Sequence, residues 1–310
     1  MNIAGISGVI VPIVTPMDAS GHIDPVGTRK LLHHVIDGGV AGIFALGSTG
    51  EFPSLTHGQQ LEFIRMVAAT TSGRLPLFVG VSSTCDAETM ALMEESRKVG
   101  ADAVVALPPY YFPFGNQAAL AEHFENLADR APLPLMLYNG GGAYGKASPL
   151  TPETVARLAA HPKIMGIKDV TGLTPMLSMV AATAALRNSG KPFSIFAGDD
   201  SQMAIGVCFG SNGGVNSLAN IAPRLYVEAF ACAASRDLRG LGDVTTPGST
   251  IARILTLHRL YQVPPNAIVA IKAALSILGI CGAEVARPLQ GIRPDGLALV
   301  RSILEAVALI

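Results

Sequence analysis

Short apolar runs that alternate with longer helical stretches are the feature that most limits how this chain can fold. Eight such runs are candidate strands, spaced at roughly 20–35 residues, which is the size of one βα unit. Most of them are apolar throughout, as is typical of strands that helices cover on both faces. The candidate strands are Val9–Thr15, Val40–Gly47, Leu75–Ser82, Ala103–Pro108, Leu133–Asn139, Ile164–Asp169, Phe193–Gly198 and Gly214–Ser217.

The segments between these runs carry signals for the ends of helices. Asp24-Pro25 and Thr151-Pro152 each place an N-capping residue before a proline at the first helical position. Gly38 and Gly100 stand where helices should stop, shortly before the second and fourth strands. The chain therefore consists of repeated strand–helix units.

Eight such units are the number found in a (β/α)8 barrel. The main alternative, a doubly wound sheet, usually has a G-x-G-x-x-G motif after its first strand, and here Pro16-Met17-Asp18 occupies that place. We predict an α/β fold, a (β/α)8 TIM barrel in residues 1–232. Residues 233–310 are predicted to form a C-terminal helical extension packed on the barrel.

Composition excludes several classes of protein. With 49% hydrophobic and 15% charged residues the chain is not intrinsically disordered. Its net charge of −1 and lack of a basic stripe indicate no nucleic-acid partner. No apolar run approaches the ~18–20 residues of a spanning helix, so we expect no membrane partner. Four scattered cysteines predict a reducing cytoplasm, and no H-x-x-x-H or C-x-x-C spacing indicates a metal site.

Polar side chains stand at the carboxyl ends of the candidate strands, where barrels carry their chemistry. Among the lysines of the sequence, only Lys168 lies within an apolar strand pattern. Burial there would lower its pKa, and a neutral amine can attack a ketone to form a Schiff base. The alternative is a structural lysine that pairs with Asp169 or extends into solvent. The strand-end residues are Thr15, Ser48-Thr49, Ser82-Ser83, Tyr110-Tyr111, Tyr138-Asn139, Lys168-Asp169, Asp199-Asp200 and Asn216-Ser217.

Two other strand ends carry groups that could act on a substrate. Tyr138 could relay protons, or it could lie at the edge of the core with its hydroxyl in water. The turn Gly47–Glu51 offers two hydroxyls and backbone N–H groups to a carboxylate or phosphate. The same sequence also suits an ordinary turn.

Three motifs in order make the sequence resemble the dihydrodipicolinate synthase/N-acetylneuraminate lyase family of class I aldolases and dehydratases. They are Gly47–Glu51, Leu137–Asn139 and Gly166–Asp169. The similarity runs from Val11 through the C-terminal helices, nearly the whole chain. The resemblance implies a TIM barrel that binds pyruvate or another 2-oxo acid, with no cofactor besides the covalent Schiff base on lysine. Supporting motifs are Pro109–Tyr111, Gly198–Asp200 and Gly214–Ser217.

The resemblance also implies catalytic roles for the matching residues. Lys168 would attack the ketone, and Tyr138 would shuttle protons at the bond that changes. Ser48 and Thr49 would hold the carboxylate of the 2-oxo acid. Ser48 would also link Tyr138 to Tyr111 in a relay of hydroxyl groups.

Substrate contacts and assembly follow from the same resemblance. Gly198, Asp200 and the backbone carbonyl of Val215 would contact the substrate. In the family, the tyrosine that matches Tyr111 reaches into a neighbouring subunit's site. The resemblance therefore implies a homotetramer built as a dimer of dimers.

Departures from the family's motifs guide the substrate prediction. Ala143 stands where dihydrodipicolinate synthases carry an arginine that grips the aldehyde substrate's distal carboxylate, and alanine cannot replace a guanidinium there. Ser201 follows Asp200 where sialic acid lyases carry a glutamate. The segment Gly50–Leu55 is similar to family members that act on 2-keto-3-deoxy sugar acids.

We therefore predict a class I lyase that releases pyruvate from a 2-keto-3-deoxy sugar acid or dehydrates it. One alternative is 4-hydroxy-tetrahydrodipicolinate synthase, which condenses pyruvate with aspartate semialdehyde. A second alternative is a non-catalytic barrel that binds a keto acid.

Overall fold

Eight parallel strands form a closed barrel in the order β1 to β8. The structure, a computed structural model, describes residues 3–140 and 148–310. The predicted (β/α)8 barrel is confirmed, because helices alternate with the strands along the chain. The strands are β1 (Gly8–Pro12), β2 (Gly42–Ala45), β3 (Leu77–Gly80), β4 (Ala103–Ala106), β5 (Leu135–Asn139), β6 (Ile164–Asp169), β7 (Ser194–Ala197) and β8 (Gly213–Val215).

Each observed strand overlaps its predicted run, but most are shorter. The run Val40–Gly47 contains only the four residues of β2, although Leu46 beyond it is 1% exposed. Apolar sequence reports burial, and burial continues into the turns that follow the strands. β6 has the predicted bounds, Ile164–Asp169.

Two helices begin directly after the predicted capping residues. Asp24 caps α1 by accepting a hydrogen bond from the Val26 N–H, and Thr151 caps α5 in the same way from Thr154. The helices are α1 (Pro25–Asp37), α2 (His57–Thr71), α3 (Asp86–Lys98), α4 (Gln117–Arg130), α5 (Pro152–Ala159), α6 (Leu173–Asn188), α7 (Met203–Cys208), α8 (Pro223–Ala234), α9 (Leu238–Leu241), α10 (Thr250–His258), α11 (Ala267–Ile277) and α12 (Pro294–Ala306). Within the described ranges, none of these helices is both long and apolar enough to cross a membrane.

The chain divides into two compact units, and the first is Met1–Gly8 with Pro76–Val215. Its strands β3 to β8 are paired in parallel, and the register of β5 against β6 shifts between Leu135 and Met136. On its surface, Arg130 of α4 makes a two-point ion pair with Asp86 of α3. Such exposed pairs contribute about 0–1 kcal/mol each.

The second unit is Val9–Leu75 with Asn216–Ile310. It contains the β1–β2 pair, α1, α2 and the helices from α8 to α12. Arg253 of α10 donates two hydrogen bonds to the Val307 carbonyl at the end of α12, which ties these C-terminal helices together. The most buried of them is α11, whose residues Val269–Leu275 are all buried.

Candidate active site

Tyr138 and Lys168 lie side by side at the carboxyl ends of β5 and β6 in the first unit. The register of the two strands places them directly opposite each other. The Lys168 Nζ atom lies over the Tyr138 ring, 4.0 Å from its centroid, and the two residues are 3% and 2% exposed. Sequence analysis predicted both residues at strand ends, and the structure brings them into contact.

The Lys168 amine is set up to lose its proton near neutral pH. Burial lowers the pKa of Lys168 from 10.5 to about 7, because the charged form loses its hydration. The negative charge of Asp200, itself 1% exposed, works in the opposite direction and raises this pKa. A large fraction of the amine is therefore neutral and nucleophilic at pH 7.

A second buried carboxyl follows directly in β6. Asp169 Oδ1 accepts hydrogen bonds of 2.8 Å from Asn139 Nδ2 and from the Thr171 hydroxyl. Burial raises the pKa of Asp169 to about 6, and these two donors limit the rise. Asn139 also exchanges two hydrogen bonds with the backbone of Leu150. One carboxamide therefore fixes the end of β5, the end of β6 and the chain before α5.

Gly198, which follows β7, packs against Lys168. A Cβ atom at this position would collide with the Val170 side chain, and it would lie 3.1 Å from Lys168 Cε and 3.1 Å from the Asp169 carbonyl oxygen. The Gly198 N–H also donates to that carbonyl at 2.6 Å. Any larger residue would push on the lysine. Val215, buried at the end of β8, completes the predicted residues of this unit.

Tyr111 differs from the other predicted residues of the first unit because its side chain is exposed. It follows β4, is 66% exposed, and meets Phe112 edge to face with ring centroids 4.8 Å apart. Ala143, on which the substrate prediction depends, lies outside the described residues.

Ser48 and Thr49 belong to the second unit, in a 3-10 turn that follows β2 and spans Ser48–Gly50. Leu46, two residues before the turn, and Glu51, directly after it, have φ values of 57° and 60°. Residues with a Cβ seldom adopt this left-handed conformation, which costs about 1–2 kcal/mol. Within the described part of the chain, the buried Ser48 hydroxyl makes no hydrogen bond.

Glu51 forms a buried ion pair that sequence analysis missed. Lys272 of α11 donates to Glu51 Oε1 at 2.7 Å and to the Thr15 carbonyl at 2.8 Å, and both charged side chains are 0% exposed. The Ala286 N–H donates to Glu51 Oε2 at 2.7 Å. One signal was available in the sequence: Lys272 interrupts the apolar run of α11, as Lys168 interrupts that of β6.

Comparison with known proteins agrees with these features. Residues 5–307 match the profile of the Dihydrodipicolinate synthetase family. The chain belongs to this family. Its members are enzymes of the lyase type, so the chain is a carbon–carbon or carbon–oxygen lyase.

Individual relatives match over nearly their whole length. The 4-hydroxy-tetrahydrodipicolinate synthase of Albidiferax ferrireducens is 33% identical over 306 residues, covering 98% of both chains. The structure of dihydrodipicolinate synthase from Bacteroides thetaiotaomicron has a TM-score of 0.88 at 33% identity and covers 98% and 99% of the two chains. A prophage protein of the same family from E. coli K12, solved in complex with pyruvate, has a TM-score of 0.88 at 29% identity and covers 98% and 99%.

Proposed function

We propose that Lys168 forms a Schiff base with a 2-oxo acid, and that pyruvate is the first one to test. The observation that carries this proposal is the buried Lys168 amine, with its pKa near 7, over the Tyr138 ring. A pyruvate complex of the E. coli relative supports the choice of ligand. The chemistry that we propose uses no cofactor besides the covalent Schiff base on Lys168.

The chemistry begins with attack of the neutral Lys168 amine on C2 of the keto acid. A carbon–nitrogen bond forms, the carbinolamine loses water, and a protonated imine results. This imine withdraws electrons from C3, so that C3 can lose a proton, or the C3–C4 bond can break as the C4 hydroxyl gives up its proton and becomes a carbonyl. Either step leaves an enamine. The enamine formed by proton loss can expel the C4 hydroxyl as water or attack an aldehyde, and water finally hydrolyses the imine to free Lys168. Tyr138, in contact with Lys168, exchanges the protons that these steps require.

The remaining predicted residues take roles around this pair. Ser48 and Thr49 hold the substrate's carboxylate, and Ser48 relays protons between Tyr138 and Tyr111. The keto acid is also contacted by Gly198, Asp200 and the Val215 carbonyl. The exposure of Tyr111 supports its entry into a neighbouring subunit's site, in a homotetramer built as a dimer of dimers.

Two reactions compete for the second half of the mechanism. The Albidiferax ferrireducens relative is named a 4-hydroxy-tetrahydrodipicolinate synthase. That name favours condensation of pyruvate with aspartate semialdehyde over the sugar-acid reaction, which was our leading prediction from sequence. Ala143 favours a 2-keto-3-deoxy sugar acid instead, because it offers no cation to a distal carboxylate. Both reactions start from an imine between Lys168 and a 2-oxo acid, which is pyruvate in the synthase and the sugar acid itself in the other reaction.

Trapping tests the shared step. Borohydride added with pyruvate should reduce the imine and leave a stable adduct on Lys168, located by peptide mass spectrometry. A Lys168→Met variant should give none. If no 2-oxo acid yields an adduct on the wild-type protein, the proposal is wrong and a keto-acid-binding role without catalysis replaces it.

Turnover assays then distinguish the two reactions. Pyruvate with aspartate semialdehyde tests the synthase. A panel of 2-keto-3-deoxy acids, with separate detection of pyruvate release and dehydration, tests the sugar-acid reaction.

A further inference from the structure

The turn that carries Ser48 and Thr49 needs support from outside itself. Leu46, two residues before it, and Glu51, directly after it, are both in the left-handed conformation that residues with a Cβ disfavour. Such a backbone persists only where surrounding contacts hold it. The contacts on this turn therefore decide where its two hydroxyls point.

Most of the described support converges on the end of the turn. The Thr15 hydroxyl donates to the Gly50 carbonyl at 2.7 Å. Glu51 is then held at both carboxylate oxygens, by Lys272 at 2.7 Å and by the Ala286 N–H at 2.7 Å. Because Lys272 also donates to the Thr15 carbonyl, one ammonium group joins Glu51 to the residue whose hydroxyl holds Gly50.

The position of Lys272 makes it a rigid support. It lies at the middle of α11, between buried Ile271 and Ala273, and its side chain is 0% exposed. A buried ion pair is a weak source of net stability, since desolvation of the two charges offsets their attraction. Its geometric precision is the property that a hydrophobic pair could not supply.

We propose that Lys272 is a positioning residue for the keto-acid carboxylate: through Glu51 it fixes the turn on which Ser48 and Thr49 meet the substrate. This inference rests on the proposed function, which assigns the carboxylate to those two hydroxyls. Lys272 itself touches no reacting atom. Its loss should weaken keto-acid binding and leave the reactivity of Lys168 intact.

Kinetics of borohydride trapping on the full chain test the proposal. Lys272→Met should raise the pyruvate concentration for half-maximal trapping about tenfold, the effect of losing one hydrogen bond to a charged group, with the maximal rate unchanged. Glu51→Gln should act in the same direction, and it decides the matter if the first variant does not fold. Leu275→Ala, a buried substitution in the same helix, is the matched control because it destabilises α11 and leaves the hydrogen bonds of Lys272 and Ala286 to Glu51 in place.

Hydrogen exchange in the ligand-free protein gives a second readout that does not depend on catalysis. The amides of residues 48–51 should exchange faster in Lys272→Met than in Leu275→Ala. The proposal is overturned if neither Lys272→Met nor Glu51→Gln changes the pyruvate concentration for half-maximal trapping. It is also overturned if Leu275→Ala changes both readouts as much as these variants do. A wild-type protein that traps no keto acid would instead contradict the proposed function, and exchange would still report whether Lys272 holds the turn.

Discussion

Asn139 and Asp169 face each other at the ends of β5 and β6, and Asn139 Nδ2 donates a 2.8 Å hydrogen bond to Asp169 Oδ1. Tyr138 and Lys168 immediately precede them in the same register. The two strands are thus tied by side chains at the point where the two candidate catalytic groups emerge. The tie involves a titratable carboxyl, so its strength should depend on pH.

Replacing Asn139 with alanine should therefore destabilise the protein more at high than at low pH. Asp169 has a pKa of about 6, raised by burial and held down in part by Asn139. At about pH 8 its buried carboxylate would lose a donor, which costs about 2–3 kcal/mol together with the bonds to Leu150. At about pH 5 the group is mostly protonated and needs the donor less, so the loss should be about 1 kcal/mol smaller. Urea unfolding at the two pH values measures the difference.

Asn220 provides the matched control for this experiment. It is also a buried asparagine with three hydrogen bonds, but its partners are all backbone groups: those of Val14, Pro12 and Ser217. Asn220→Ala should cost a similar free energy of unfolding that does not change with pH. Equal pH dependence in both variants would contradict the role assigned to Asp169.

Lys168→Met should abolish adduct formation and stabilise the protein. Because the pKa of Lys168 falls to about 7 on folding, the unfolded chain binds more protons than the folded one up to about pH 10. The amine therefore costs stability, most at and below pH 7, and the cost fades as pH rises towards 10.5. Methionine removes this cost, and Tm at neutral pH should rise by about 2 °C or more. A thermal melt at several pH values tests it, and a drop in Tm at pH 7 would refute the burial argument.

These two predictions show what the sequence could and could not provide. Tyr138 and Lys168 were predictable because each ends an apolar run, and strand ends meet at one rim of a barrel. The ends of β2 were not, since apolar residues continue into the buried turn around Leu46.

The ion pair of Glu51 and Lys272 was beyond prediction for another reason. Its members are 221 residues apart in the sequence, and the residues around either one do not indicate which residue it pairs with. The pKa of Asp169 likewise depends on burial by distant residues, which composition and spacing do not encode.

Asp200→Asn should shift the pH dependence of trapping to lower pH. The Asp200 carboxylate raises the pKa of Lys168, so its neutralisation lets that pKa fall below about 7. The neutral amine then persists in more acidic solution, and the rise of the trapping rate with pH should occur earlier. Measuring the rate at saturating pyruvate from acid to neutral pH checks the direction.

The adjacent Asp199 is the control for this shift. Its carboxylate accepts hydrogen bonds from Ser201, and it is not among the groups that alter the pKa of Lys168. Asp199→Asn should leave the profile in place. A profile that moves equally in both variants would count against a specific interaction between Asp200 and the lysine.

Gly198→Ala should slow adduct formation by displacing Lys168. The added methyl would collide with the Val170 side chain, and it would lie 3.1 Å from Lys168 Cε and 3.1 Å from the Asp169 carbonyl oxygen. Because the backbone cannot yield easily, the Val170 side chain and the flexible lysine must both shift. Overpacking of this kind costs about 1–3 kcal/mol of stability, and a displacement near 1 Å can lower a rate on the order of a hundredfold.

Gly115→Ala, at a glycine with no atom within 4 Å of the added methyl, should change neither quantity. Trapping rates and unfolding free energies measured for both variants decide the matter, and wild-type trapping by Gly198→Ala would mean that Lys168 tolerates a different position.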